Sequence, residues 1–201
     1  PTRSLAVQAL EKQGCDIVIT DDGLQHYALG RDIEICVFDG ERKWGNGHLL
    51  PMGPMREPLK RINTTDFVVM NGADWVGPKQ PKKAAFRMDL EASSLRALND
   101  EKISSLSEFK GKEVDAIAGI GNPERFFNTL ASEGLLVESH GFNDHHAYTQ
   151  SDVCFAGDRP LIMTEKDAVK CRAFNLQEAW YLPVSAMLSG DLAAQIVTAL
   201  K

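Results

Sequence analysis

The residues best suited to chemistry stand in three short runs. The first, Asp21-Asp22-Gly23-Leu24-Gln25-His26, closes an apolar stretch at 16–20. Two adjacent carboxylates at a strand end supply the hard oxygen ligands that Mg²⁺ takes. Strand C-termini also border the ligand crevice of open α/β sheets. An apolar strand ending in Asp is the form of a Walker B element, and Gln25 and His26 can orient water or phosphate. The same Asp-Asp-Gly suits a plain β-turn closed by an Asx hydrogen bond, and spacing alone leaves both readings open.

The second run, Arg56-Glu57-Pro58, lies in a long Gly/Pro loop over 44–62 and precedes Lys60-Arg61. A guanidinium beside a carboxylate fits phosphate binding together with metal ligation. The plainer alternative is a surface ion pair at a helix start, with Pro58 in its first turn. The third run is Asn143-Asp144-His145-His146-Ala147-Tyr148. Histidine titrates near neutrality and serves as base, acid or ligand, and Asp144 can orient a neighbouring imidazole. Adjacent side chains of an extended segment face opposite ways, so at most one of the two histidines is expected to serve a given site. His140, on an expected strand, reads as structural. Gly119-Ile120-Gly121-Asn122-Pro123 lacks the third glycine of a dinucleotide fingerprint and the Lys of a phosphate loop, so it reads as a tight β-α turn. Thr164-Glu165-Lys166-Asp167 reads as a helix-opening box, with a ligand role left open by its place after a strand. The pattern GxxxxGK[ST] does not occur in the chain.

These residues need elements to hold them. A helix is expected over 4–13, ended by Gly14. Strands are expected at 16–20, 33–38 and 67–70; their unbroken apolar character suits a parallel sheet covered on both faces. Residues 84–90 read as an extended linker strand before a polar stretch, 91–112. A second β-α series follows: strand 114–118, a helix from Asn122-Pro123 to Gly134, strands at 135–139, 160–163 and 181–184, and a terminal helix at 189–200. The fold class is therefore α/β, as two Rossmann-like α/β/α units: a first domain over 1–83, a linker or hinge over 84–112, and a second domain over 113–201.

Composition narrows the function classes. The 201 residues carry 22 basic and 28 acidic side chains, a net charge of -6, with 43% hydrophobic residues. That balance excludes disorder and argues against nucleic acid as a partner. Residues 1–100 hold 13 basic and 14 acidic side chains, and 101–201 hold 9 and 14, so the first half has room for a local basic surface. The four cysteines form no CxxC pair, and a reduced compartment is expected. No run is apolar enough to span a membrane. The chain opens Pro1-Thr2-Arg3-Ser4 without a signal-peptide pattern, which suggests a longer parent.

In order, DDGLQH, RDIEICVFDGERKWGNGHLLPMGPMREPLKRI, a strand ending MNG, AGIGNPERFF, DHHAYT and LIMTEKDAVK resemble the tetraacyldisaccharide 4'-kinases of lipid A biosynthesis in Gram-negative bacteria. The resemblance covers nearly the whole chain and implies an N-terminal portion, with the Walker A loop and a membrane-associating helix, ahead of Pro1. It makes the first unit an incomplete P-loop NTPase-type domain. The implied reaction moves the γ-phosphoryl of ATP, with Mg²⁺, to the 4'-hydroxyl of a lipid A disaccharide precursor (a tetraacyldisaccharide 1-phosphate). By the same resemblance Asp21, Asp22 and Glu57 are metal ligands. Gln25, His26 and Arg56 contact the nucleotide, and His145 with Asp144, together with Asp22, carries the catalysis. The intact protein is expected at the cytoplasmic face of the inner membrane, with basic groups at 56–61 and 79–83 toward lipid phosphate. The chain alone is expected to be soluble, inactive and prone to self-association at an uncovered sheet edge. Two alternatives are a metal-dependent phosphoesterase using Asp-Asp and Asp-His-His, and a non-catalytic binding module.

Overall fold

The computed structural model describes residues 2–75, 85–92, 94–155 and 157–200. In chain order its elements are α1 (Arg3–Lys12), β1 (Ile35–Asp39), β2 (Phe67–Asn71), β3 (Ala85–Ala92), β4 (Leu95–Ala97), β5 (Ile103–Ser104), β6 (Glu113–Ala118), α2 (Pro123–Ser132), β7 (Leu136–Gly141), α3 (Gln150–Val153), β8 (Leu161–Thr164), α4 (Glu165–Cys171), β9 (Ala179–Leu182), β10 (Val184–Leu188) and α5 (Leu192–Ala199). They divide into two compact units, one of residues 1–89 with 187–201, the other of residues 90–186.

The first unit is built on a four-stranded sheet in the order β1-β2-β3-β10. β1 and β2 are parallel, as are β2 and β3, with Val69 opposite Phe86. Phe67, Val68, Val69 and Met70 are all buried, the signature of a strand covered on both faces. Phe67, Val69, Phe86 and Leu192 form the core. The expected strand at 16–20 is not formed. Those residues run as irregular chain, with Ile17 64% and Ile19 92% exposed. The physical reason is the want of a ladder partner among the described residues, because an apolar run has no strand without its backbone paired.

The second unit holds a six-stranded sheet, β5-β4-β9-β8-β6-β7. β6 runs parallel to both β7 and β8, and β8 to β9, while β4 is antiparallel to its neighbours. α2 links β6 to β7 on one side, and the chain then returns to β8 on the other. That reversal makes the C-terminal ends of β6 and β8 a topological switch point, where open α/β sheets bind ligands. Asn122 stands at the N-cap of α2 with Pro123 in its first turn, and Gly134, at φ +89°, follows its end. Leu95, Val114, Ala116, Leu130 and Ile162 pack one core cluster, and Ile117, Met163, Ala168 and Cys171 another.

The division differs from the expected one. Residues 84–112 are not a linker: β3 pairs with β2, and β4 and β5 enter the second sheet. Phe86 is buried opposite Val69, which draws the stretch into the sheet. The terminal helix α5 packs Leu192 and Ile196 into the first unit's core. The strand β10 was hidden by its run of exposed residues.

Candidate functional site

In the first unit, the loop after residue 20 is folded by its own turns and by Arg31. His26 N–H donates to the Gly23 carbonyl at 2.9 Å. The Arg31 guanidinium donates to the carbonyls of Gly23 (3.3 Å) and Leu24 (3.1 Å), and to Glu34 Oε1 at 2.7 Å. It thus ties the loop to the residues leading into β1. Arg3 donates to the Asp22 carbonyl at 3.2 Å, and Asp22 has a left-handed backbone, φ +51°.

The 44–58 loop meets it. Asn46 donates to the Met52 carbonyl at 2.8 Å, and Leu50 N–H to the Met55 carbonyl at 2.9 Å. A Cβ on Gly53 would come within 2.1 Å of Asn46 Oδ1 and 2.3 Å of the His48 carbonyl, so only glycine lets the loop close this tightly. The loop presents Arg56, whose Nη1 donates to both Asp22 oxygens at 2.8 Å. Gln25 donates to Glu57 Oε1 at 3.0 Å and Tyr27 to Oε2 at 2.7 Å, while Arg61 Nε lies 3.3 Å from Oε2.

The charges follow from these contacts. The Arg56 hydrogen bonds, and then its charge, hold the Asp22 carboxyl below its usual value. Burial pushes Glu57 upward, but bonds from Tyr27 and Gln25 and the charge of Arg61 outweigh it, and the net direction is down. Its hydrogen bond to Glu57 raises the Tyr27 phenol.

The expected metal trio is not assembled. Among the described residues no three His, Cys, Asp or Glu side chains converge on a metal position. Asp22 is turned to Arg56, and both Glu57 oxygens accept from Gln25 and Tyr27. Asp21 is exposed beside Asp22, and His26 is half-buried outside this network. Mg²⁺ usually takes only one or two protein carboxylates and completes its shell with water and phosphate. The adjacent Asp21 and Asp22 fit that requirement as oxygen donors. Two metals held by converging acids and histidines, as the phosphoesterase reading requires, have no cluster here.

In the second unit, the loop from Phe142 to Thr149 sorts its two histidines. His146 stacks on Phe142 with ring centroids 4.6 Å apart, and its Nε2 lies 3.2 Å from Asp152 Oδ2. His145, at φ +61°, projects outward with its side chain 78% exposed. Its Nε2 is 3.7 Å from Asp144 Oδ2, and its N–H donates to Asp144 Oδ1 at 3.0 Å. Lys166 Nζ donates to that same Oδ1 at 3.0 Å, and this bond is the main cause of a lowered Asp144 carboxyl. The two histidines thus stand in different surroundings, His146 packed and paired and His145 exposed beside Asp144. His140 is structural too, bonded to buried Asp115 at 2.9 Å across adjacent strands and stacked on Phe155.

Sequence reading missed Tyr27, Arg31, Glu34 and Arg61 as the frame of the first loop pair, and Lys166 as a partner of Asp144. Tyr27 adjoins DDGLQH and carried a signal in its position; the others are separated by up to 27 residues and show themselves only when folded. The basic residues expected at 79–83 lie outside the described residues.

Comparison with known proteins adds an independent finding. The family model described as tetraacyldisaccharide-1-P 4'-kinase matches residues 1–201. Tetraacyldisaccharide 4'-kinase of Methylobacillus flagellatus is 50% identical over 187 residues, 92% of this chain and 54% of that protein. Its counterpart in Aeromonas salmonicida is 50% identical over 195 residues, 96% and 56% of the two chains. That of Nitrosococcus oceani is 43% identical, covering 100% and 58%. The crystal structure of the "apo" form of LpxK from Aquifex aeolicus in complex with ATP aligns with a TM-score of 0.71 at 28% identity, covering 96% of this chain and 59% of that one. The chain spans little more than half the length of the relatives it matches.

Proposed function

The chain belongs to the tetraacyldisaccharide-1-P 4'-kinase family, and from that membership we propose that it forms part of a lipid kinase. The reaction is transfer of the ATP γ-phosphoryl to the 4'-hydroxyl of the lipid A disaccharide precursor. One observation carries the reading at residue level: the Asp22–Arg56 and Gln25–Glu57 bonds draw together two segments more than thirty residues apart in sequence.

Phosphoryl transfer asks a protein mainly for positioning and charge neutralisation. Asp21 and Asp22 would hold Mg²⁺, which when bound neutralises phosphate charge. Arg56 leaves one Asp22 oxygen to contact phosphate, a planar donor suited to that anion. Glu57 acts through Gln25, which it holds by Oε1, and His26 flanks the same turn. His145 accepts the proton of the acceptor hydroxyl, and Asp144 stabilises the imidazolium that forms.

The test is direct transfer of labelled γ-phosphate to the disaccharide acceptor. A longer parent protein carrying a phosphate loop is expected to transfer it; residues 1–201 alone are not. His145→Ala or Asp22→Asn in the parent should lower kcat by about 10²–10⁴-fold. A parent that transfers no γ-phosphate to the acceptor, or full activity of both variants, overturns the reading.

No helix among the described residues is long and apolar enough to cross a membrane. A peripheral place at the cytoplasmic face of the inner membrane is proposed because the acceptor is acylated. Self-association is proposed from the exposed Ile19 and from Val37 on β1, the end strand of its sheet. Vesicle flotation and sedimentation velocity test the two.

A further inference from the structure

The Thr164–Asp167 segment does more than cap a helix. Its last two charges, Lys166 and Asp167, do different work. Asp167 is fully buried. Its Oδ2 accepts from Gly119 N–H at 3.0 Å and from Thr164 Oγ1 at 2.7 Å, and Oδ1 takes Lys170 Nζ at 3.1 Å. A Cβ on Gly119 would stand 2.8 Å from the Tyr148 hydroxyl and 3.2 Å from Asp167 Oδ1, so the turn after β6 is fitted to this carboxylate. The start of α4 is thereby fixed against the ends of β6 and β8. Lys166, one residue earlier, stands on that fixed base and reaches outward to Asp144.

Asp144 is thus divided. Oδ1 serves the Lys166 ammonium and the His145 backbone N–H, each at 3.0 Å; Oδ2 is left 3.7 Å from His145 Nε2, beyond hydrogen-bond length. The pair is half-exposed, at 47% for Lys166 and 45% for Asp144, and such surface pairs add little to stability. Its consequence is geometric. We propose that Lys166 is a positioning residue for His145: by holding Asp144, it keeps the carboxylate from closing on the imidazole and leaves the ring free to take a proton.

This inference rests on the reading of His145 as the proton acceptor, but it is measured without catalysis. Among the described residues the charged group paired with His145 is Asp144 on its own loop, which Lys166 on α4 holds in turn; His146 and Asp152 pair with each other. In isotopically labelled 1–201, Lys166→Met should let Asp144 approach the ring and raise the midpoint of the His145 titration by about half a pH unit. Lys166→Arg should restore the native titration, and Asp144→Asn should lower the midpoint whether or not Lys166 is present. The double variant should not be additive, as expected of a shared partner. The His146 titration and the Gly119 amide shift, which report the buried frame, should stay fixed throughout. A His145 titration unmoved by Lys166→Met, or an Arg variant that behaves like Met, overturns the proposal. Loss of transfer in the parent's His145→Ala variant is a separate result, so the kinase reading can fail while the positioning role stands.

Discussion

The two units hold their functional loops by different means. In the second, the loop with His145 lies against a frame of buried polar groups: Asp167 is fully buried, and the cores around it contain Ile117, Leu130, Ile162 and Met163 at zero exposure. In the first, Asp22 and Arg56 are 62% and 59% exposed, and Ile17, Ile19 and Val37 of the same unit are exposed too. A buried frame resists salt and solvent, while a surface ion pair is screened by both. The first loop pair is therefore the more easily rearranged of the two.

The largest test of this contrast is Asp167→Ala. Removing one partner of a buried charged network leaves Lys170 and the Gly119 N–H uncompensated, at a cost of about 3–5 kcal/mol. Urea unfolding followed by Trp180, with Trp44 and Trp75 replaced by Phe, should show it. A loss as small as that of a surface substitution would erase the distinction between the units. Next in size, Leu130→Ala should cost about 2–5 kcal/mol through its cavity, whereas Ile19→Ala should change stability by less than about 0.5 kcal/mol. Equal costs would mean that Ile19 is packed after all.

The same contrast explains how far the sequence could be read. In the second unit almost every expected element formed, because Gly134, the Asn122-Pro123 start and the Thr164 cap are local signals. Thr164 Oγ1 does accept from Asp167 N–H, at 3.2 Å. In the first unit residues 16–20 have the composition of a buried strand but, among the described residues, no partner strand to make them one. Pairing is a long-range property that residue type does not encode. Contacts within the candidate site were legible where neighbours in sequence are neighbours in space, as with Asp144 and His145. The hold of Lys166 on Asp144, 22 residues away in sequence, required the fold.

A smaller effect separates the cysteines. Burial pushes the Cys36 and Cys171 thiols up to about 11, whereas Cys15 and Cys154 are exposed. Only thiolate reacts appreciably. At pH 8, a thiol reagent should label Cys15 and Cys154 in the native chain, with Cys36 and Cys171 reacting only on unfolding. Cys36 belongs to β1, the end strand of its sheet, so it is the sharper probe. Prompt labelling there but not at Cys171 would mark the first unit as the more open of the two.

The smallest expected effect is on acid stability, and its sign follows from two carboxylates. Asp22 is held below the usual 3.8 by Arg56, and Asp152 by the backbone and side-chain bonds of Thr149, with His146 adding to them. A carboxyl with a depressed native value releases its proton more readily folded than unfolded. Each therefore favours the folded state above pH 3.8, and the contribution fades as pH falls through the native values. Asp22 is solvent-exposed and Asp152 partly so, and the urea midpoint should fall only slightly between pH 5 and 3 on their account. Salt separates them. Asp22 depends on an exposed charge, and added salt should move its titration toward 3.8. Asp152 depends first on hydrogen bonds from Thr149 and should move less. Equal salt shifts would show that the second unit's loop also relies on surface charge, and the contrast between the two units would then rest on their cores alone.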